Sequence, residues 1–417
     1  MRARAAGFDQ SWGVVAGAAL CMMVVSSASS SFAAFAEPMA TRFGAGRASL
    51  CTMIGLAGAL TFLLAPAGEW LCNRLGPRRS CFAGVACIAA GLEITSQSQS
   101  LAGACVGFAV AVGLGGALTM LPAMISVTSC FQRRRGLAAG LATLGVGLGT
   151  IAASPLAVRF EAIWGWSVAM QALAAGIMSI GGPASLLLLE APLQIGSTVP
   201  GKPARSRNGV FAQTKFFRLY LALALVSPAL AIPFAHIAFA GRDLGASPAT
   251  AAALVSLLGA GGLIGRLALG RAADRWGRTT VLGASAGTVG LAYLMWWAAT
   301  DLMQLAGFAL MFGLGHGGVV ALLPAACADN TGDCTPRRLG WLYTAAAPGY
   351  LLGPIAAGAI VDRGGSYSAV AVAAALASAA ACVACLSFEW VRDRRGPLPC
   401  YNRPALHPVQ ERNFPKR

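Results

Sequence analysis

The sequence predicts an all-α membrane protein: twelve transmembrane helices in two pseudo-symmetric six-helix bundles. Three observations carry that prediction. First, the 417 residues are 57% hydrophobic and only 11% charged, with a mean hydropathy of +0.67. A soluble domain holds about 25% charged residues, so lipid must be the main solvent here. Second, apolar stretches near the ~20 residues needed to cross the hydrocarbon recur along the whole chain. Third, several landmarks repeat at a nearly constant offset.

Turn or charge signals bound the apolar stretches at 12–36, 49–72, 80–96, 101–129, 136–158, 163–189, 216–240, 249–271, 279–299, 303–327, 339–361 and 367–389. None alternates with period two, and backbone groups in lipid must bond within their own segment, so each reads as a helix. The first follows Arg2 and Arg4 but is too long for the core of a signal peptide, and many spans come after it. Helices 2 and 3 flank Asn73-Arg74-Leu75-Gly76-Pro77-Arg78, and helices 4 and 5 flank Arg133-Arg134-Arg135. After helix 6, Glu190 to Lys215 is rich in proline, glycine, serine and basic residues, the composition of a linker. Helix 8 carries Arg266, and the charged run Gly270 to Arg278 after it reads as a short turn at the membrane surface. Helix 10 carries His316, and helix 11 carries Tyr343 and Tyr350. From Arg392 a basic, proline-rich tail reads as disordered. The expected domains are a first bundle over 1–189, a linker over 190–215, a second bundle over 216–391 and a tail over 392–417.

Orientation follows from the 31 lysines and arginines. With the amino terminus inside, 25 fall on the inner side and five (Arg42, Arg47, Arg159, Arg242, Arg363) on the outer, leaving Arg266 in the membrane. That asymmetry places both termini in the cytoplasm, and the bacterial inner (plasma) membrane is the expected location. The net charge of +16 is therefore topology rather than a nucleic-acid surface, since no basic patch is interleaved with exposed aromatics. Twelve cysteines, mostly in apolar stretches, read as small core residues. No Walker loop is present, no cofactor or metal is expected, and three scattered histidines supply no enzyme constellation.

The repeat is specific. Asn73 to Arg78 matches Asp274-Arg275-Trp276-Gly277-Arg278 at an offset of 201 positions, and Ser154-Pro155 matches Gly353-Pro354 at 199. Arg134-Arg135-Gly136 likewise matches Arg337-Arg338-Leu339-Gly340. Landmarks sharing one period imply a duplicated six-helix unit in parallel orientation, an arrangement found in transporters.

These residues make the chain resemble a major facilitator superfamily transporter over essentially its full length. Gly270-x3-Asp274-Arg275-x-Gly277-Arg278 matches that superfamily's loop motif in full, while the copy after helix 2 has Asn73 in place of the acid, as in the monocarboxylate porter family. Phe131-Gln132-Arg133-Arg134-Arg135-Gly136-Leu137-Ala138-Ala139-Gly140 resembles that family's signature entering helix 5, and Asp9-Gln10-Ser11-Trp12-Gly13 is a looser match to the one entering helix 1. The resemblance implies a substrate-carboxylate arginine at position 266 and a proton as coupling ion. It also implies an aspartate one turn before that arginine, where this chain has Gly262.

Arg266 is the leading candidate for substrate binding. A guanidinium presents a planar fork to two carboxylate oxygens, although this one could instead snorkel to the inner surface. His316, among glycines, could transfer a proton, bond a substrate or simply bond backbone. His236, after Pro233, is a second cavity candidate, and Tyr343 and Tyr350, two turns apart, could offer hydroxyls from one face. Asn73, Arg74, Gly76, Arg78, Gly270, Asp274, Arg275, Gly277 and Arg278 are expected to latch or turn the loops between helices. Asp243 reads as a loop cap. The serine run Ser26 to Ser31 could face a ligand or satisfy itself on its own helix. The expectation is a monomeric secondary transporter of a small organic anion, a monocarboxylate, by proton symport; the alternative is an efflux exchanger for drugs or metabolites.

Overall fold

A computed structural model describes residues 8–131, 135–190, 214–331 and 335–393 of the chain. The linker predicted at 190–215 lies almost wholly outside these residues, as do Arg133, Arg134 and the tail beyond 393. Among the described residues every element is helical, and each predicted stretch has its helix. They are α1 (Phe8–Phe43), α2 (Arg47–Leu63 continued by Ala65–Leu75 at a 53° bend), α3 (Pro77–Ser96) and α4 (Leu101–Cys130). A long helix, Arg135–Leu186, is broken by non-helical Gly165 into α5 (135–164) and α6 (166–186). There follow α7 (Thr214–Asp243), α8 (Pro248–Trp276), α9 (Arg278–Ala298), α10 (Leu302–Thr331), α11 (Pro336–Asp362, with a 3-10 turn at Thr344–Ala346) and α12 (Tyr367–Asp393).

Side-chain caps start several of these helices: Ser100 Oγ accepts from Gly103 N, Ser247 Oγ from Thr250 N, and Thr335 Oγ1 from Arg338 N. Glycines in the left-handed region separate others, and they recur in register. Gly44 and Gly245 follow α1 and α7, Gly76 and Gly277 follow α2 and α8, and Gly165 and Gly364 follow α5 and α11, with φ between 60° and 88°. The offsets are 201, 201 and 199 residues, the period already present in the motifs. A backbone turn that only glycine adopts without strain is thus duplicated three times.

Two boundaries differ from the sequence reading. α8 runs on to Trp276, so Gly270 to Trp276 forms its last turns and the break falls at Gly277. Nothing in that run forbids helix, and cations near a helix carboxyl end favour it. α1 runs on through Glu37 to Phe43, giving 36 residues or roughly 54 Å, well beyond a ~30 Å hydrocarbon core.

Small residues decide which helices touch. A Cβ on Gly145 would overlap the Ala19 carbonyl oxygen, and one on Gly149 would overlap Ser26, so α5 lies directly on α1. Gly349 and Gly353 bring α11 onto Ser227 and Pro228 of α7. These four glycines therefore pack each half internally. The seam uses others: Gly55 and Gly58 of α2 against Tyr350 and Leu351 of α11, and Gly259 of α8 against Gly147 of α5. The serine run also proves internal. Ser26 Oγ donates to Val146 O (2.9 Å), and Ser30 bonds Thr150 (3.3 Å), stitching α1 to α5.

Candidate functional site

Arg266 lies ten residues, about 15 Å, from the last residue of α8. It is 5% exposed. Its Nη1 points back up the helix: a Cβ on Gly262 would lie 3.0 Å away, and one on Gly147 of α5 would lie 3.3 Å away. The guanidinium therefore sits at the α5–α8 seam between the two halves. Its Nε has no hydrogen-bond partner, and no ion pair to Arg266 occurs among the described residues. A desolvated cation left without partners costs several kcal/mol.

His316 of α10 is brought to the same region. Gly265, next to Arg266, sits on Leu314 of α10, two residues before His316. The imidazole is 7% exposed, edge-on to Phe234 of α7 at 5.1 Å and stacked on Phe312 at 5.8 Å.

His236 is placed elsewhere. It is fully buried, with Nε2 2.9 Å from Pro354 O and Nδ1 3.2 Å from the Tyr367 hydroxyl. Since Pro354 O only accepts, Nε2 carries the proton and Nδ1 accepts from Tyr367. Tyr367 in turn accepts from Arg47 Nη1 (3.4 Å). Both nitrogens are engaged, and the partners lie on α11 and α12 rather than on α8. Tyr343 and Tyr350 do share a face, and they use it to straddle Phe62 of α2, at 5.9 and 4.7 Å between ring centroids.

The end of the fold where α1, α7 and α11 finish and α2 starts holds what sequence reasoning missed. Arg47, first residue of α2, makes a bidentate pair with Asp243 at the end of α7, Nη1–Oδ2 being 2.6 Å. The neighbouring Arg242 makes a second pair with Glu37 of α1 (Nε–Oε2 3.2 Å). Consecutive residues of α7 therefore grip two helices of the other half with opposite charges. Asp362 adds a third link, accepting from Arg47 N (3.2 Å) and Ala48 N (2.9 Å). These residues line a cavity of about 670 Å3 that does not include Arg266. A usable signal was present: Glu37 and Asp243 are acids on a face that the charge count makes outer.

The loop motifs behave more locally than expected. Asp274 is exposed and has no ion pair among the described residues, and Arg275 lies over the Trp276 ring at 5.9 Å. Arg278 pairs with Asp329 (3.0 Å), joining α9 to α10 within one half. Asn73 donates to Glu69, which leaves Arg74 on the Trp70 ring (4.1 Å) and Arg78 with Glu190 (3.3 Å) and Leu188 O (3.3 Å). Gly76 and Gly277 make the turns, whereas Gly270 and Gly140 have nothing within 4 Å of a Cβ and are not close-approach sites. Phe131, from the stretch entering α5, packs edge-on to Trp12 of α1 at 5.3 Å, joining the two signature stretches.

A duplicated helical fold with a buried cation at the seam between its halves is an arrangement found in membrane transporters. The profile described as Major Facilitator Superfamily matches residues 18–231 and again 216–404, and the chain belongs to that family. It is similar to Monocarboxylate transporter 13 of Bos taurus, 28% identical over 358 residues (82% of this chain and 79% of that one). It is also similar to Monocarboxylate transporter 12-B of Danio rerio, 26% identical over 398 residues (87% and 83%). A third likeness is to the MFS-type transporter pynF of Aspergillus niger, 26% identical over 304 residues (70% and 67%).

Proposed function

We propose that this chain is a monomeric secondary transporter carrying a small organic anion, a monocarboxylate, by alternating access across a plasma membrane, in a bacterium the inner membrane. The observation that carries the reading is Arg266, buried at the seam between the halves with its Nε unpaired. A carboxylate offers this guanidinium two oxygens and one negative charge. The names of two relatives, monocarboxylate transporters, agree with that chemistry. Residues 1–189 and 216–391 are the moving halves, joined by a cytoplasmic linker at 190–215 and followed by a cytoplasmic tail. The charge bonds between Glu37, Arg47, Arg242, Asp243 and Asp362 support an outer mouth that is closed here and released in the other state. A proton is the coupling ion implied by the family resemblance, and Gly262 means that it would not ride on an acid beside Arg266.

Purified protein in liposomes, offered labelled monocarboxylates over a range of pH, tests the reading. Arg266→Gln is expected to lower uptake by about a hundredfold, the scale of one buried charged contact, with an unchanged folded fraction. Full carboxylate uptake by that variant would instead favour efflux of an apolar drug or metabolite, for which the rings of Phe234, Phe312 and His316 would be the binding surface.

A further inference from the structure

We infer that the hydroxyl of Ser256 clasps the two halves together along the α5–α8 seam in the present state, and that the α2–α11 seam has no such clasp. The inference rests on the alternating-access reading and does not involve Arg266. Pro155 has no N–H, so the carbonyl of Ile151, one turn before it in α5, lacks the donor that a regular helix supplies. Ser256 of α8 provides one from the other half: its Oγ donates to Ile151 O at 2.7 Å. The helices are close enough for this because Gly259 lies one turn along α8. A Cβ there would sit 3.0 Å from Ile151 N and 2.9 Å from Gly147 O. The same hydroxyl has a second acceptor on its own helix, Ala252 O at 3.4 Å. When the halves part, Ser256 turns back to Ala252, whereas Ile151 O is left without a donor of its own. A carbonyl stranded within a span is costly, so the bond favours the state in which it is made.

The duplication supplies the comparison. Ser256, Ile151 and Pro155 correspond to Gly55, Tyr350 and Pro354, at offsets of 201, 199 and 199 residues, those of the glycine turns. In α11 Pro354 again frees a carbonyl, that of Tyr350. That carbonyl again faces the other half, since a Cβ on Gly55 of α2 would lie 3.1 Å from it. Glycine offers no hydroxyl, so this seam closes without the bond. One freed carbonyl is built twice and clasped once. Ser256 is therefore a positioning residue, which sets the ratio of two states rather than holding the cargo.

The test places spin labels on Ala162→Cys and Ala249→Cys in the full chain, its native cysteines replaced, in liposomes. Both positions are exposed, and their neighbours Glu161 and Pro248 line one cavity between α5 and α8. Double electron–electron resonance then reads the ratio of parted to closed seams. Ser256→Ala is expected to raise that ratio about tenfold, the scale of a stranded buried acceptor. Pro155→Ala restores an N–H to Ile151 O, so in that background Ser256→Ala is expected to change the ratio by less than about twofold. A residue that merely packs would act equally in both backgrounds. Equal shifts in both, or no shift in either, overturn the clasp; two distance populations in vesicles that accumulate lactate leave alternating access standing. One distance in every variant, with and without lactate, in vesicles that accumulate none overturns both. If Ser256→Ala does not fold, Pro155→Ala alone decides: it is expected to raise the ratio severalfold, and an unchanged ratio overturns the clasp.

Discussion

At the scale of single residues, two buried polar side chains have opposite fates. Arg266 is left with an unpaired Nε, whereas His236 has a partner on each nitrogen. The first difference predicts that Arg266→Lys, which keeps the charge but loses the planar fork, retains about a tenth of carboxylate uptake, measured in liposomes against Arg266→Gln. The second predicts that Tyr367→Phe destabilises the fold by about 1–3 kcal/mol, because Nδ1 loses its donor in a dry site; a lowered midpoint of thermal unfolding in detergent measures it. Arg266 was legible in the sequence because a lone cation in a long apolar run has few explanations. Arg47 was not, because its partner is 196 positions away and the sequence shows only one of several outer arginines.

At the scale of elements, close packing by glycine sets which helices are neighbours. Gly145→Ala is expected to cost at least 1–3 kcal/mol, the range for overpacking, since the added methyl meets backbone on α1 that cannot step aside. Gly176→Ala in α6, with nothing within 4 Å, is expected to gain about 0.5–1 kcal/mol from reduced backbone freedom in the unfolded chain. Parallel melting curves of the two variants check both signs. Helix existence was fully readable from apolar length. The ends of α1 and α8 were not, because polar residues that leave the hydrocarbon can continue a helix into water, and hydropathy registers only the crossing. The pairing of glycines was unreadable for a related reason. Spacing tells that a face is smooth, not which neighbour lies upon it.

At the scale of the whole molecule, the two halves meet through apolar seams in the membrane and charge bonds at the outer rim. If the rim charges hold the mouth shut, replacing Arg47 and Arg242 together by alanine frees it. Cys51, buried at the rim 4.0 Å from His236, is the reporter: as the sole cysteine it is expected to react about tenfold faster with a membrane-impermeant maleimide in that variant, a shift of about 1.4 kcal/mol in the opening equilibrium. An unchanged rate would mean that the apolar seam alone closes the rim. The duplication itself was legible in motifs, and the three glycine turns in register show how deep it runs.

Asp362 gives this rim one more property. Gly46, which precedes α2, has no side chain to cap the helix, so its first turn is capped by an acid borrowed from α11 across the rim. If the halves part as proposed, α2 must fray at its tip or find water, a penalty of about 1 kcal/mol. A serine at position 46 would bring its own cap, displace Asp362 and cut that penalty out. The dwell time of the transporter on each side of the membrane could thus be tuned by one hydroxyl, far from the cargo and without touching its affinity.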